Sequence, residues 1–330
     1  MKSLLLPPLS ALYGAVTRTR LSLYQRGTFH TTKLDRPVIS VGNITAGGTG
    51  KTPLVEWISK TIAAQGKNVC ILTRGYGREH PQRQVVVSDG QTILATPAEA
   101  GDEPYLLATK LLGSAAVISN IDRISAGRYA IENLGTDCFV LDDGFQHLRL
   151  ARDLNIVTID ATNPWGGGEL LPHGRLREPR EGLARADCVV LTRCDQAGNI
   201  DELLNQIREL IRGRPLFKST MKAAFAQVVT GPVAAFCAVG NPESFFTQVR
   251  TRGYELVFQK VFRDHHTYSQ QDVNSLVHAA RNAGAQSLIT TAKDAVKLRS
   301  LSFSIPWCVL EIEISFEDED AFRQIIVAVL

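Results

Sequence analysis

The run Val38-Ile-Ser-Val-Gly-Asn-Ile-Thr-Ala-Gly-Gly-Thr-Gly-Lys-Thr-Pro53 joins an apolar strand to a glycine-rich turn, and a helical pattern of Leu54, Val55, Trp57, Ile58 and Ile62 follows, stopping at Gly66. This is the context that a phosphate-binding loop requires. Glycines let backbone N–H groups close around phosphate oxygens, and the start of the helix adds positive potential. Lys51 would reach the β- and γ-phosphates, and the Thr52 hydroxyl can ligate magnesium. Thr45, Ala46, Gly47, Gly48, Thr49, Gly50, Lys51 and Thr52 are therefore the expected ATP contacts. The usual spacing G-x-x-x-x-G-K-[ST] has glycine where this chain has Thr45; the Gly47-Gly48 pair is expected to supply the flexibility instead. Switch-like dimeric ATPases usually carry lysine where this chain has Ala46, which counts against that class.

A second apolar run, Cys138-Phe-Val-Leu, ends in Asp142-Asp143. A phosphate-loop enzyme needs a carboxylate there to hold Mg²⁺ directly or through water. Gln146 and His147 follow, close enough to touch substrate. In Ala100-Gly-Asp-Glu-Pro104, Asp102 is either the N-cap of the next helix or a general base or second metal ligand. In Phe262-Arg-Asp-His-His-Thr-Tyr268, adjacent histidines of an extended segment point to opposite sides, so one at most aims at a given site; its natural partner is a carboxylate. Guanidinium groups gather in Gly174-Arg-Leu-Arg-Glu-Pro179, with Arg180 and Arg185 beyond, and in Arg74-Gly-Tyr-Gly-Arg78 and Arg123. Their forks match phosphate oxygens.

The elements that must position these groups are also legible. Short β-branched runs alternate with helical stretches, each run too uniformly apolar for a one-sided strand, so the fold class is α/β with a sheet covered on both faces. Ligands in such sheets bind beyond the carboxyl ends of strands, where these motifs lie. After Arg214-Pro215 an extended, partly polar stretch leads into a second α/β set. The expected division is a phosphate-loop α/β/α core over residues 1–219 and a smaller α/β unit over 220–330.

At 330 residues, 44% hydrophobic and 21% charged, the chain is an ordinary globular one rather than a disordered or collagenous one. A net charge of +3 is too small to imply nucleic-acid binding, and no obligate protein partner is evident. Residues 1–36 hold six basic residues against one acid, so they carry +5 and the remainder −2. The cysteines form no C-x-x-C pair, and five lie in apolar runs, as core residues in a reducing compartment would. The apolar stretch from Leu4 to Val16 is too short to span a bilayer, which takes about 20 residues. It reads as a helix with Leu9, Leu12, Tyr13 and Val16 on one stripe, suited either to a membrane interface or to packing on its own core.

Taken together and in this order, GNITAGGTGKTP, RGYGR, GDEP, DDGFQH, GRLREP and RDHHTY resemble the tetraacyldisaccharide 4'-kinase family of lipid A biosynthesis, from about residue 7 into the second unit. The family's loop likewise lacks the first glycine. The resemblance implies a kinase that uses ATP and Mg²⁺ to phosphorylate the 4'-hydroxyl of an acylated glucosamine disaccharide 1-phosphate. It also implies a peripheral enzyme on the cytoplasmic face of the inner membrane, held by its N-terminal helix. By the same resemblance Asp102, paired with His265 rather than His266, is the base, and Lys51 serves catalysis from the loop. Thr52 with Asp142 or Asp143 holds Mg²⁺, with Glu103 beside them. Tyr76, Arg123, Gln146, His147, Arg177 and Glu178 line the nucleotide and substrate phosphates.

Overall fold

The computed structural model describes residues 6–225, 229–264 and 266–330. In the first half the chain runs α1 (Leu6–Gln25), β1 (Val38–Asn43), α2 (Lys51–Ala63), β2 (Val69–Thr73), β3 (Val85–Ser88), α3 (Pro97–Ala100), α4 (Asp102–Lys110), β4 (Ala115–Ser119), α5 (Arg123–Leu134), β5 (Cys138–Asp142), β6 (Leu154–Asp160), β7 (Cys188–Thr192) and α6 (Asp201–Ile211). The second half runs β8 (Leu216–Phe225), β9 (Val233–Cys237), α7 (Pro242–Thr251), β10 (Leu256–Val261), α8 (Gln270–Asn282), β11 (Ser287–Thr291), α9 (Ala292–Leu298), β12 (Trp307–Phe316) and α10 (Glu319–Val327).

The described strands form one sheet in the order β10-β9-β11-β12-β8-β7-β6-β1-β5-β2-β4-β3. β1, β2, β4, β5, β6 and β7 are parallel, and all but β3 of the first half are fully buried, as their apolar runs require. Two departures from an all-parallel sheet appear: β3 is an antiparallel edge on β4, and β12 runs antiparallel to β8. β8 belongs to both halves, since residues 216–218 pair with β7 and residues 219–225 with β12. β1 lies between β5 and β6, so the order reverses there and a crevice opens beyond its carboxyl end. Gly42 lets the chain after β5 pass close over β1, because a Cβ on it would lie 2.6 Å from the Phe145 backbone nitrogen.

α2 buries Leu54, Val55, Ile58 and Ile62 in the same core as β1, β2 and β5. α10 returns from the second half to that core: Phe322 and Ile326 are fully buried, and Phe322 lies 5.2 Å from the Trp57 ring of α2. α4 begins at Asp102 itself, with Gly101 as its cap residue, so Asp102 is the first helical residue rather than the N-cap. α9 was not anticipated; it starts directly at the tip of β11, where Thr291 accepts from Asp294 N. α1 docks through Ser10 and Gly14, while Leu9, Leu12 and Val16 stay exposed; Tyr13 leaves that stripe and donates to Arg177 O at 2.9 Å. The helix thus packs on the chain through Ser10, Tyr13 and Gly14, and the Leu9, Leu12 and Val16 part of its stripe is left facing outward.

Candidate active site

Three strand tips hold the glycine-rich loop from below. Asn43 Nδ2 donates to Thr49 Oγ1 (3.0 Å), Thr49 Oγ1 shares a hydrogen bond with Thr158 Oγ1 (2.7 Å), and the Thr192 hydroxyl donates to Thr49 O (3.0 Å). The loop's start is strand-like: Thr45 bridges Leu176, Ala46 N donates to Arg175 O (2.6 Å), and Arg175 Nε donates to Ala46 O (2.9 Å). Hence no glycine is needed at position 45. Gly47 (φ +118°) and Gly50 (φ +84°) take left-handed conformations and Gly48 does not, so the expected flexibility of the 47–48 pair rests on Gly47. The loop separates two cavities. Thr45 and Ala46 face the smaller, about 450 Å³; Gly47, Gly48 and Thr49 line both; Gly50, Lys51 and Thr52 line the larger, about 890 Å³.

The two aspartates at the tip of β5 face this larger cavity in opposite electrostatic states. Asp143 accepts from Arg177 NH1 through both oxygens at 2.8 Å and lies 3.4 Å from Lys51 Nζ. Burial opposes its charge, but Lys51 and Arg177 outweigh that and hold it down at about 2. Asp142 accepts from the Thr73 hydroxyl at 3.1 Å; burial, then the Glu103 and Asp143 carboxylates, push it up to about 7, with Lys51 offsetting only part. A cation arriving beside Asp142 would supply the missing positive charge. Thr52, Asp142 and Glu103 offer hard oxygen donors to one cavity, which is the ligand chemistry of Mg²⁺. Among the described residues no three His, Cys, Asp or Glu side chains form a metal cage. A magnesium ion here would therefore complete its shell with phosphate oxygens and water, as it commonly does.

The same cavity is also lined by cations: Arg74, Arg123, Arg149 and Arg177 face it with Tyr76 and His147, together with Tyr13 and Arg20 from α1, and Arg177 sits directly on Asp143. Arg123 is buried, which lowers its guanidinium to about 10; Asp142 opposes the shift and Arg74 adds to it. Burial and then the guanidinium groups of Arg123, Arg152, Arg149 and Arg20 push His147 down to about 4, and its buried Nε2 has no hydrogen-bond partner among the described residues. Since His147 stays neutral in the fold down to about pH 4 but ionises near 6.5 when unfolded, it contributes stability above pH 6.5 that is lost as pH falls toward 4. Denaturant titrations should show a smaller loss between pH 7 and pH 5 for His147→Asn than for the unsubstituted chain. An equal loss would mean that His147 is not held neutral.

Not every arginine grouped in the sequence reaches this space. Arg175 secures the loop, Arg180 lies 4.5 Å over the Trp165 ring, Arg185 pairs with Glu178, and Arg78 donates to Ser119 O at 2.7 Å. Glu178 is buried behind the cavity and accepts from Gln146 Nε2 at 2.7 Å; the same nitrogen donates to Asn43 O at 2.8 Å. Glu178 thus orients Gln146, which does line the cavity.

Asp102 Oδ2 lies 3.2 Å from Lys297 Nζ and outside the cavity lining. Glu103 Oε1 lies 3.0 Å from Lys293 Nζ, which is also 3.5 Å from Asp264 Oδ1, and all three residues line the cavity. His265, read as the partner of Asp102, lies outside the described residues. The His266 ring is committed within its own segment, 3.3 Å from Asp272 Oδ2 and stacked on Phe262.

Sequence reading missed Arg20, Arg149, Arg193 and Lys293. The strand-tip rule that found Asp142 could have found two of them: Arg193 follows β7 directly, and Lys293 lies two residues past β11. Arg193 NH1 donates to Gly48 O (3.0 Å) and Asp160 Oδ2 (2.5 Å), and its Nε donates to Ser244 Oγ (3.1 Å), tying the loop to α7.

Residues 2–330 match the model of the family described as Tetraacyldisaccharide-1-P 4'-kinase. The Tetraacyldisaccharide 4'-kinase of Geobacter metallireducens is 45% identical over 89% of this chain and 88% of its own length. That of Geobacter sulfurreducens is 46% identical over 88% and 82%. The crystal structure of LpxK from Aquifex aeolicus in complex with ATP superposes with a TM-score of 0.78 at 32% identity, covering 98% of this chain and 97% of that one. This chain belongs to the tetraacyldisaccharide-1-phosphate 4'-kinase family.

Proposed function

We propose that the chain transfers the γ-phosphoryl group of ATP to the 4'-hydroxyl of tetraacyldisaccharide 1-phosphate, working with Mg²⁺ at the cytoplasmic face of the inner membrane. The observation that carries this reading is one cavity lined by a phosphate loop, paired aspartates, several arginines and residues of α1. Tyr13 and Arg20 of α1 line the cavity, while Leu9, Leu12 and Val16 are 49%, 62% and 59% exposed. A lipid could thus keep its acyl chains against an apolar surface while its sugar enters a polar site.

Lys51 would bind the transferring phosphoryl group, and Arg177 would hold Asp143 so that Lys51 stays available to it. Thr52 and Asp142, with Glu103 nearby, would hold Mg²⁺, which supplies charge neutralisation across the β- and γ-phosphates when bound. Asp102, just outside the cavity lining and next to Glu103, which lines it, would with His265 take the sugar hydroxyl proton once substrate is bound, as the hydroxyl oxygen attacks phosphorus and ADP leaves. Tyr76, Arg123, Gln146 and His147 would contact the anionic groups. In this reading residues 1–219 are the kinase core and residues 220–330 a smaller unit that completes the site.

The direct test is transfer of labelled γ-phosphate from ATP to purified tetraacyldisaccharide 1-phosphate in detergent micelles. A labelled lipid supports the reading; labelled free phosphate without labelled lipid would replace it with a simple ATPase. No helix among the described residues is long and apolar enough to cross a membrane. The anchor reading therefore rests on the α1 stripe. Serine at Leu9, Leu12 and Val16 together should reduce vesicle binding about tenfold or more, given roughly 1.5 to 3 kcal/mol per fully buried large apolar side chain. Unchanged flotation with liposomes would refute the anchor.

A further inference from the structure

α4 and α9 face each other across the two halves of the chain through a series of polar contacts. Lys297 Nζ reaches Asp102 Oδ2 (3.2 Å) and donates to His266 O (3.1 Å). One turn earlier, Lys293 Nζ lies 3.0 Å from Glu103 Oε1 and 3.5 Å from Asp264 Oδ1. Beyond both, Arg299 NH1 donates to the Tyr105 hydroxyl at 2.6 Å. Each lysine thus joins an acid at the start of α4 to a residue that follows β10, Lys293 to Asp264 and Lys297 to His266.

Lys297 is the more enclosed of the two, with a side chain 9% exposed, and it does not line the cavity. A buried ammonium with a carboxylate and a carbonyl as partners has little freedom, and each contact fixes the other. We propose that Lys297 is a positioning residue for phosphoryl transfer: it fixes Asp102 against the His266 backbone without touching substrate. This rests on the reading of Asp102 as the base. Its effect belongs in turnover rather than in binding, because Lys297 does not line the cavity in which the proposed reading places ATP and the sugar.

The test compares kcat and KM for Lys297→Met and Lys297→Arg, alone and in an Asp102→Asn background, with thermal melts as a check on folding. Lys297→Met should lower kcat about 100-fold, the scale of a misplacement near 1 Å. KM for ATP and lipid should each move less than about threefold, since ground-state contacts are untouched. Lys297→Arg keeps a cation with several donors and should recover to within about tenfold of the unsubstituted enzyme. In Asp102→Asn, Lys297→Met should add nothing. An unchanged kcat, or a loss of the same size in both backgrounds, overturns the proposal. A loss matched by Lys297→Arg and accompanied by a lowered melting temperature also overturns it, because the role would then be structural. If Asp102→Asn itself keeps full turnover, the base reading falls first; if it abolishes turnover while Lys297→Met does not, only the positioning role falls.

Discussion

Lys51→Ala is expected to lower kcat by about 10²- to 10⁴-fold, the scale seen when a preorganised group that stabilises transition-state charge is removed. The Lys51 side chain is 14% exposed and projects from the first residue of α2 into the cavity, 3.4 Å from Asp143. In the substitution Asp143 keeps Arg177, but residues 45–52 then hold no basic side chain. The defect should therefore fall on turnover more than on Asp143 itself. Lys51→Arg should recover little, because a planar fork cannot take the place of a compact ammonium inside a loop pinned at Thr49. Single-turnover transfer of labelled phosphate, with ATP affinity measured separately, checks this. A variant that transfers phosphate at the normal rate once ATP is saturating would show that Lys51 only binds nucleotide.

Asp102→Asn is expected to lose about 10²- to 10⁴-fold in kcat, the usual contribution of a general base, with ATP affinity unchanged. Asparagine keeps the shape and one acceptor oxygen, so Lys297 retains a partner and α4 should keep its position. What disappears is the capacity to take a proton. A large rise in the ATP dissociation constant with undiminished turnover of the bound complex would make Asp102 a nucleotide ligand instead.

The sequence displayed the loop, the strand ending in Asp142 and Asp143, and the alternation that builds the parallel sheet, because each is written in contiguous residues. Thr45 looked like a defect since its partner Leu176 is far away along the chain. The arginines were over-assigned for the same reason: whether a guanidinium meets an anion or a backbone carbonyl depends on what the fold brings alongside, as Arg78 and Arg177 demonstrate. α9 was invisible as a helix because it is short and follows β11 without a break. With it went Lys293 and Lys297, whose partners all lie in distant parts of the chain. The amphipathic stripe of α1 was legible; which side it would present to solvent was not.

The return of α10 onto α2 bears on the order in which the protein can mature. The helix that carries Lys51 and Thr52 shares its hydrophobic layer with Phe322 and Ile326. During synthesis that layer stays open until residues 319–327 have emerged from the ribosome. The loop that α2 follows, made early, is thus among the last parts to gain full support, and in the proposed reading a nascent chain lacking α10 is expected to hold ATP poorly. Production of an active kinase is in this way tied to completion of the polypeptide through α10.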